Sequence, residues 1–252
     1  MAELRVEGLT VRAGARTLLD GVDLQLRTGE VVGMVGSSGS GKSVTTRAIL
    51  GLLPFQPGRV AGSVLLADGM NTVDARTEAD FAALRGGAVG LLFQDARASL
   101  DPMWTVGRQL RAVSALAGGD GDPAGPLRAA GFPDPERVAG LYPHELSGGM
   151  AQRAAIAVAL ARRSRFLLAD EPTTGLDPSV QRAVLTELRR LADAGMGILF
   201  ITHDLRLLPG FADRLVVMDA GRIVEAVDTV ADLRGAGKAL VDATRTIAGG
   251  VL

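Results

Sequence analysis

The 252-residue chain contains no cysteine, so a disulfide framework and thiolate metal sites are both excluded. The absence of disulfides fits a reducing interior. A charge excess of either sign is also missing: 27 basic residues face 28 acidic ones, the formal net charge is −1, and there is no basic tail or stripe. That argues against nucleic acid as the main partner. No run of 18 uninterrupted apolar residues occurs, so no membrane-spanning helix is expected. The first residues, Met-Ala-Glu-Leu-Arg-Val-Glu, lack a basic region followed by an apolar stretch, and no secretory signal is expected. Lysine is nearly absent. Lys42 and Lys238 are its only occurrences, and arginine supplies the rest of the 27 basic residues. A lysine retained at position 42 is therefore informative.

What the chain does have is apolar mass. Hydrophobic residues make up 47% of it, enough to bury a full core in one large domain or a domain with an inserted lobe. A mean hydropathy of +0.24 reads either as an Ala- and Val-rich composition or as an apolar part of the surface that meets a partner. Leu4–Val11, Val22–Arg27 and Ser63–Ala67 alternate apolar and polar residues, as antiparallel strands with one wet face do. Glu30–Val35, Val89–Phe93, Phe166–Ala169, Ile198–Thr202 and Leu215–Met218 are short apolar runs that read as buried parallel strands. Lys42–Leu53 reads as a helix stopped before Pro54, and Ser179–Ala194 as an amphipathic helix ended by Gly195. Residues 94–163 read as helical, with loop chemistry at Gly118–Pro126. Buried strands alternating with helices predict a parallel α/β sheet, with the helical stretch inserted into it.

Two motifs carry chemistry. Gly36, Ser37, Ser38, Gly39, Ser40, Gly41, Lys42 and Ser43 fit G-x-x-x-x-G-K-[ST], after a buried strand and at the start of a helix. A Gly/Ser-rich linker has the same composition but not that context. Glycines let backbone N–H groups turn toward phosphates, and the helix N-terminus adds partial positive charge. Lys42 would reach the β- and γ-phosphates, and Ser43 would bind Mg²⁺. Further on, Phe166-Leu-Leu-Ala-Asp170-Glu171 is an apolar strand that delivers two carboxylates. Asp170 would hold Mg²⁺, and Glu171 would orient or activate an attacking water.

With the phosphate loop, Gln94, Leu146-Ser-Gly-Gly-Met150, Asp170-Glu171, Asp177 and His203 in this order and spacing, the chain resembles ABC transporter ATPases over essentially its whole length. Finer strings resemble the peptide and nickel importer branch. They are Val35-Gly-Ser-Ser-Gly-Ser-Gly-Lys-Ser-Val44, Phe93-Gln-Asp-Ala-Arg-Ala-Ser-Leu-Asp-Pro102, Tyr142-Pro-His-Glu-Leu-Ser-Gly-Gly-Met150 and Asp170-Glu-Pro-Thr-Thr-Gly-Leu-Asp177. Within that branch the chain looks most like the nickel-type subunit, since longer oligopeptide-type members usually add a C-terminal tail.

The resemblance implies a P-loop fold with a mostly parallel core sheet, an N-terminal antiparallel β subdomain and an inserted helical subdomain. It implies a nucleotide-binding core at 1–93 and 164–235, a helical subdomain at 94–163 and a C-terminal tail at 236–252. ATP is the implied nucleotide, held by Gly36–Val44 of one subunit and by Ser147, Gly148 and Gly149 of another, with Asp177 crossing between them. Gln94 would touch Mg²⁺ or the water and sense the neighbouring lobe, and His203 would meet the γ-phosphate. The implied partners are a second ATPase subunit, with a paralogous heterodimer favoured over a homodimer, two membrane permeases and an extracytoplasmic solute-binding protein. The implied place is the cytoplasmic face of the cell membrane, and the cargo is nickel or, alternatively, di- or oligopeptides. A DNA-repair or translation ATPase would usually carry a coiled coil, zinc cysteines or a second fused domain, none of which occurs. Two departures stand out. Val11-Arg12-Ala13-Gly14 offers no ring where the family often stacks adenine, leaving Arg12 as a substitute, and Ala96 stands where the branch usually has proline.

Overall fold

The computed structural model describes residues 1–67, 72–93, 95, 99–116, 118–119, 121–162 and 164–228. Gln94, Ala96 and the expected tail lie outside the described residues.

The chain opens with two long strands, β1 (Glu3–Ala13) and β2 (Arg16–Arg27), then a short buried strand β3 (Val31–Val35) that runs into helix α1 (Lys42–Ile49). Strands β4 (Pro57–Ala67) and β5 (Thr72–Asp74), helix α2 (Glu78–Ala83) and strand β6 (Val89–Leu92) follow. Four helices come next: α3 (Val106–Leu116), α4 (Ala124–Ala129), α5 (Pro135–Gly140) and α6 (Gly148–Ala161). The chain then returns through β7 (Phe166–Asp170), α7 (Pro178–Asp193), β8 (Gly197–Ile201), β9 (Arg214–Asp219) and β10 (Arg222–Val227).

Two sheets result. One is four-stranded and antiparallel, in the order β2-β1-β4-β5. The other is six-stranded, in the order β10-β9-β3-β8-β7-β6, and parallel except for its edge strand β10. The central strands are apolar along most of their length because both faces of this sheet are covered. Val31, Val35, Leu167, Ala169, Ile198, Phe200, Leu215 and Val217 pack with residues of α3, α6 and α7. Their alternate neighbours Val32, Met34, Leu168, Leu199, Ile201, Val216 and Met218 pack with α1 and the antiparallel sheet. Strands β6 and β7 are direct parallel neighbours although α3–α6 separate them in sequence. The helices between them pack on one another, burying Val106, Leu110, Leu127, Phe132 and Val138.

Three expectations change. Helix α1 ends at Ile49, not at Leu53. Gly51, at φ +65°, closes it: its N–H donates to Ala48 O at 3.2 Å, and Leu52 N–H donates to Arg47 O at 2.8 Å. This paired cap overrides the proline signal three residues later. Gly195 closes α7 in the same way, as its sequence position predicts. Helix α4 begins inside the stretch read as loop. Asp122 accepts from the N–H groups of Ala124 and Gly125, and Pro126 falls in the first turn, where a missing N–H costs nothing. Finally, β5, α2 and β10 are short elements that the sequence reading did not place.

The turn between β9 and β10 gives a stability prediction. Asp219 and Arg222 pair across Ala220 and Gly221, whose φ angles are +44° and +81°. A Cβ on Gly221 would lie 2.5 Å from Leu18 O, so that glycine is required. Ala220 pays the left-handed penalty that asparagine largely escapes. Ala220→Asn is expected to stabilise the fold by about 0.5–1 kcal/mol, seen as a higher urea midpoint with an unchanged slope.

Candidate nucleotide site

The site is built where β3, β7 and β8 end side by side. After Val35 the chain turns through Gly36–Gly41 into α1. A Cβ on Gly36 would collide with Met218 O and lie 2.7 Å from Ser40 Oγ, so β9 presses directly on the loop. Gly41, at φ +113°, precedes α1 without any side-chain cap, which leaves the first helical N–H groups to an anion. Ser40 Oγ is buried with no hydrogen-bond partner among the described residues. The Lys42 ammonium donates to Gly36 O and Ser37 O, each at 2.9 Å, which turns it across the mouth of the loop. Burial pulls its pKa down, against the opposing pull of Glu171 and Asp170.

The first acid is Asp170, the last residue of β7 and 7% exposed. Its Oδ1 accepts from Ser43 Oγ at 3.0 Å. Burial pushes its carboxyl pKa up, and the Ser43 hydroxyl opposes that shift. The second acid, Glu171, departs from the strand into the left-handed region at φ +49°. Such a conformation costs a non-glycine residue about 1–3 kcal/mol and persists only where the surroundings enforce it. Here the Glu171 N–H donates to Ile201 O at 3.1 Å.

Sheet register supplies the next neighbour. Asp170 pairs with Ile201, so Glu171 and His203, which follow these two strand ends, face each other. His203 Nδ1 lies 3.1 Å from Glu171 Oε2, and the Thr174 hydroxyl donates to the same oxygen at 2.9 Å. Thr202 N–H donates to Met34 O at 3.1 Å, tying the end of β8 to β3. Sequence reading did not single out Thr174. It stands inside the Asp170–Asp177 string, where the signal for its role is a hydroxyl three residues after an acid, across a Pro172-Thr173 turn.

Ser147, Gly148, Gly149 and Asp177 form a second group. Ser147 caps α6, accepting from Met150 N–H at 3.2 Å. Gly148 and Gly149 open that helix. A Cβ on Gly149 would lie 2.5 Å from Val180 Cγ1, so the starts of α6 and α7 touch. Asp177 caps α7: its Oδ1 accepts from the N–H groups of Ser179 and Val180 at 3.0 and 3.1 Å. The Ser179 hydroxyl, with help from Val180 N–H, holds the Asp177 carboxyl below its usual pKa. The described side-chain hydrogen bonds of Ser147 and Asp177 stay within their own helices. Arg12 is exposed near the end of β1, with Ala13 beside it.

The chain belongs to the ABC transporter family, whose model matches residues 19–174. It is an ATPase of the ATP-binding-cassette class. It is 44% identical over 239 residues to a putative peptide import ATP-binding protein of Brucella abortus (strain 2308), covering 88% of this chain and 70% of that protein. It is 40% identical over 239 residues to the dipeptide transport ATP-binding protein DppD of Escherichia coli (strain K12), covering 90% and 72%. Among solved structures, the ATP-binding cassette MJ0796, dimeric in a post-hydrolysis state with ADP and Pi, superposes with a TM-score of 0.74 at 26% identity. That match covers 89% of this chain and 98% of the other. The ATP-binding subunit of an ABC transporter superposes with a TM-score of 0.77 at 26% identity, covering 97% and 99%.

The donor set fits Mg²⁺. Ser43 and Asp170 present a hydroxyl and a carboxylate oxygen within 3.0 Å, hard ligands of the kind Mg²⁺ takes alongside substrate phosphates and water. Among the described residues no three His, Cys, Asp or Glu side chains cluster to form an all-protein metal cage.

The buried carboxylate also sets a pH dependence. Because the folded-state pKa of Asp170 is raised, the folded chain holds that proton more tightly than the unfolded chain does. Its contribution to stability therefore falls as pH rises through the raised pKa. Asp170→Asn removes the buried charge but keeps an acceptor for Ser43. Without nucleotide or metal it is expected to be more stable than the parent at neutral pH. That advantage should vanish below the ordinary carboxylate range, at about pH 3. Urea midpoints at the two pH values check this.

Proposed function

We propose that this chain is the ATP-hydrolysing subunit of an importer, driving uptake of peptides through partner membrane permeases. The observation that carries the reading is the convergence of Lys42, Ser43–Asp170 and Glu171–His203 at three adjacent strand ends. In this reading the Gly36–Ser43 backbone and the uncapped start of α1 hold the phosphates, with Val44 behind them. Lys42 swings from the loop carbonyls to the β- and γ-phosphates. Ser43 and Asp170 hold Mg²⁺, with Gln94 as a further ligand. Bound there, the ion neutralises charge on the phosphate oxygens.

Glu171 accepts a proton as a water oxygen bonds to the γ-phosphorus and the bond to the bridging oxygen breaks. His203 orients that water and the γ-phosphate. The catalysis is mostly positioning and charge stabilisation. Ser147, Gly148 and Gly149 complete the site of a second subunit across a head-to-tail pair, with Asp177 at the crossing. The γ-phosphate then favours the closed pair, because only the closed pair contacts it from both sides. The dimeric form of the MJ0796 cassette supports this pairing.

The remaining assignments extend the same reading. Residues 94–163 form a helical subdomain that passes the motion to two permeases, while 1–93 with 164–235 form the core and 236–252 a tail. The exposed Met103, beside the Arg108–Trp104 stack, supports an apolar contact there. A paralogous ATPase partner, a solute-binding protein and a location at the inner face of the membrane complete the assembly. Among the described residues no helix is long and apolar enough to cross a membrane.

The peptide and dipeptide import relatives favour peptide over nickel cargo. Deleting the gene and measuring uptake of radiolabelled dipeptide and of nickel tests this. Loss of dipeptide uptake alone supports the reading, and loss of nickel uptake alone transfers the cargo to nickel. Unchanged uptake of both would overturn the importer assignment.

A further inference from the structure

Glu171 is held from two directions. His203 approaches its Oε2 from the end of β8, and Thr174 donates to the same oxygen from the turn that follows β7. The Thr174 contact is built into the backbone as well: Thr174 N–H donates to Glu171 O at 3.2 Å across the Pro172-Thr173 turn. Pro172 fixes one dihedral of that turn, and the β-branch of Thr174 restricts the rotamer that carries its hydroxyl. The carboxylate of Glu171 is therefore oriented by a residue of its own loop.

That loop continues through Gly175 and Leu176 to Asp177, the cap of α7, and the start of α7 touches the start of α6 at Gly149. Under the reading above, the starts of α6 and α7 are the parts of this chain that meet a second subunit.

We infer that Thr174 is a positioning residue for Glu171, setting the carboxylate for proton transfer. The inference rests on Glu171 being the general base. Thr174 is not among the groups that hold the phosphates, so its loss should appear in kcat and not in the KM for ATP.

The test uses the whole chain and a phosphate-release assay. Thr174→Val keeps the size and β-branch and removes the hydroxyl. It is expected to lower kcat about tenfold, the size of one hydrogen bond to a charged group, with KM for ATP and thermal midpoint unchanged. Thr174→Ser should restore most of the rate. In a Glu171→Gln background, single-turnover measurement should show little further loss from Thr174→Val, because the two residues act as one unit.

Turnover by Thr174→Val close to the parent's, with Glu171→Gln strongly impaired, would overturn the inference and leave the base assignment standing. An equal loss from Thr174→Val in both backgrounds would also overturn it, by assigning Thr174 to folding or pairing instead. Near-normal turnover by Glu171→Gln would remove the reading on which the inference stands.

Discussion

Glu171→Gln is expected to bind ATP as tightly as the parent chain while turning it over about 10²–10⁴-fold more slowly, the usual contribution of a positioned general base. The substitution isolates one property. Glutamine has the length of glutamate, so its amide oxygen can still accept from the Thr174 hydroxyl and lie beside His203. Lys42, Ser43 and Asp170, which the reading assigns to phosphate and Mg²⁺, keep their contacts. What glutamine cannot do is take a proton from water. Titration with ATP and phosphate release at saturating ATP separate the two effects. A rate within about threefold of the parent would show that another group accepts the proton.

Ser147→Arg is expected to leave nucleotide binding by the single chain intact and to abolish ATP-driven pairing. Turnover should fall about 10²–10³-fold, as when donors that stabilise transferring charge are removed. Ser147 stands at the start of α6, where a hydroxyl and the N–H groups following it offer an anion site. A guanidinium side chain is too bulky to share that opening with a partner's γ-phosphate. The substitution also removes the cap to Met150 N–H, so part of any loss could come from helix stability. Ser147→Ala is the control: it loses the cap, at a cost of about 1 kcal/mol, without blocking the opening. Sizing chromatography with ATP in the slow Glu171→Gln background should show pairing for Ser147→Ala and none for Ser147→Arg. Pairing by both would remove Ser147 from the shared site.

The sequence was most legible where burial on two sides forces a simple pattern. β3, β7, β8 and β9 are buried along almost their whole length, and their apolar runs locate them to within one or two residues. Legibility failed where a local hydrogen bond competes with a stronger-looking signal. Gly51 ends α1 before Pro54 is reached, and Asp122 starts α4 inside a run of Gly, Pro and Asp that looks like loop. Among the described residues β10 pairs with one neighbour, and it alternates half-buried with exposed positions, so nothing in its composition demands a strand.

The nucleotide site divides in the same way. Phosphate loops and paired acids have fixed residue types at fixed spacing, and Gly36–Ser43 and Asp170 meet from strand ends on either side of β8. The meeting of Glu171 and His203 depends on the register between β7 and β8, which no single segment encodes. Thr174 depends on a turn geometry and carries no motif of its own.

The left-handed backbone at Glu171 also bears on how this site can decay over evolutionary time. Branched residues such as valine, isoleucine or threonine are strained at that φ, whereas glycine, asparagine and aspartate are tolerated there. A lineage that no longer needs hydrolysis therefore has few neutral exits at this position. Inactive descendants should carry small or amide-bearing residues at 171 while keeping the phosphate loop, and so remain nucleotide binders long after they cease to be enzymes.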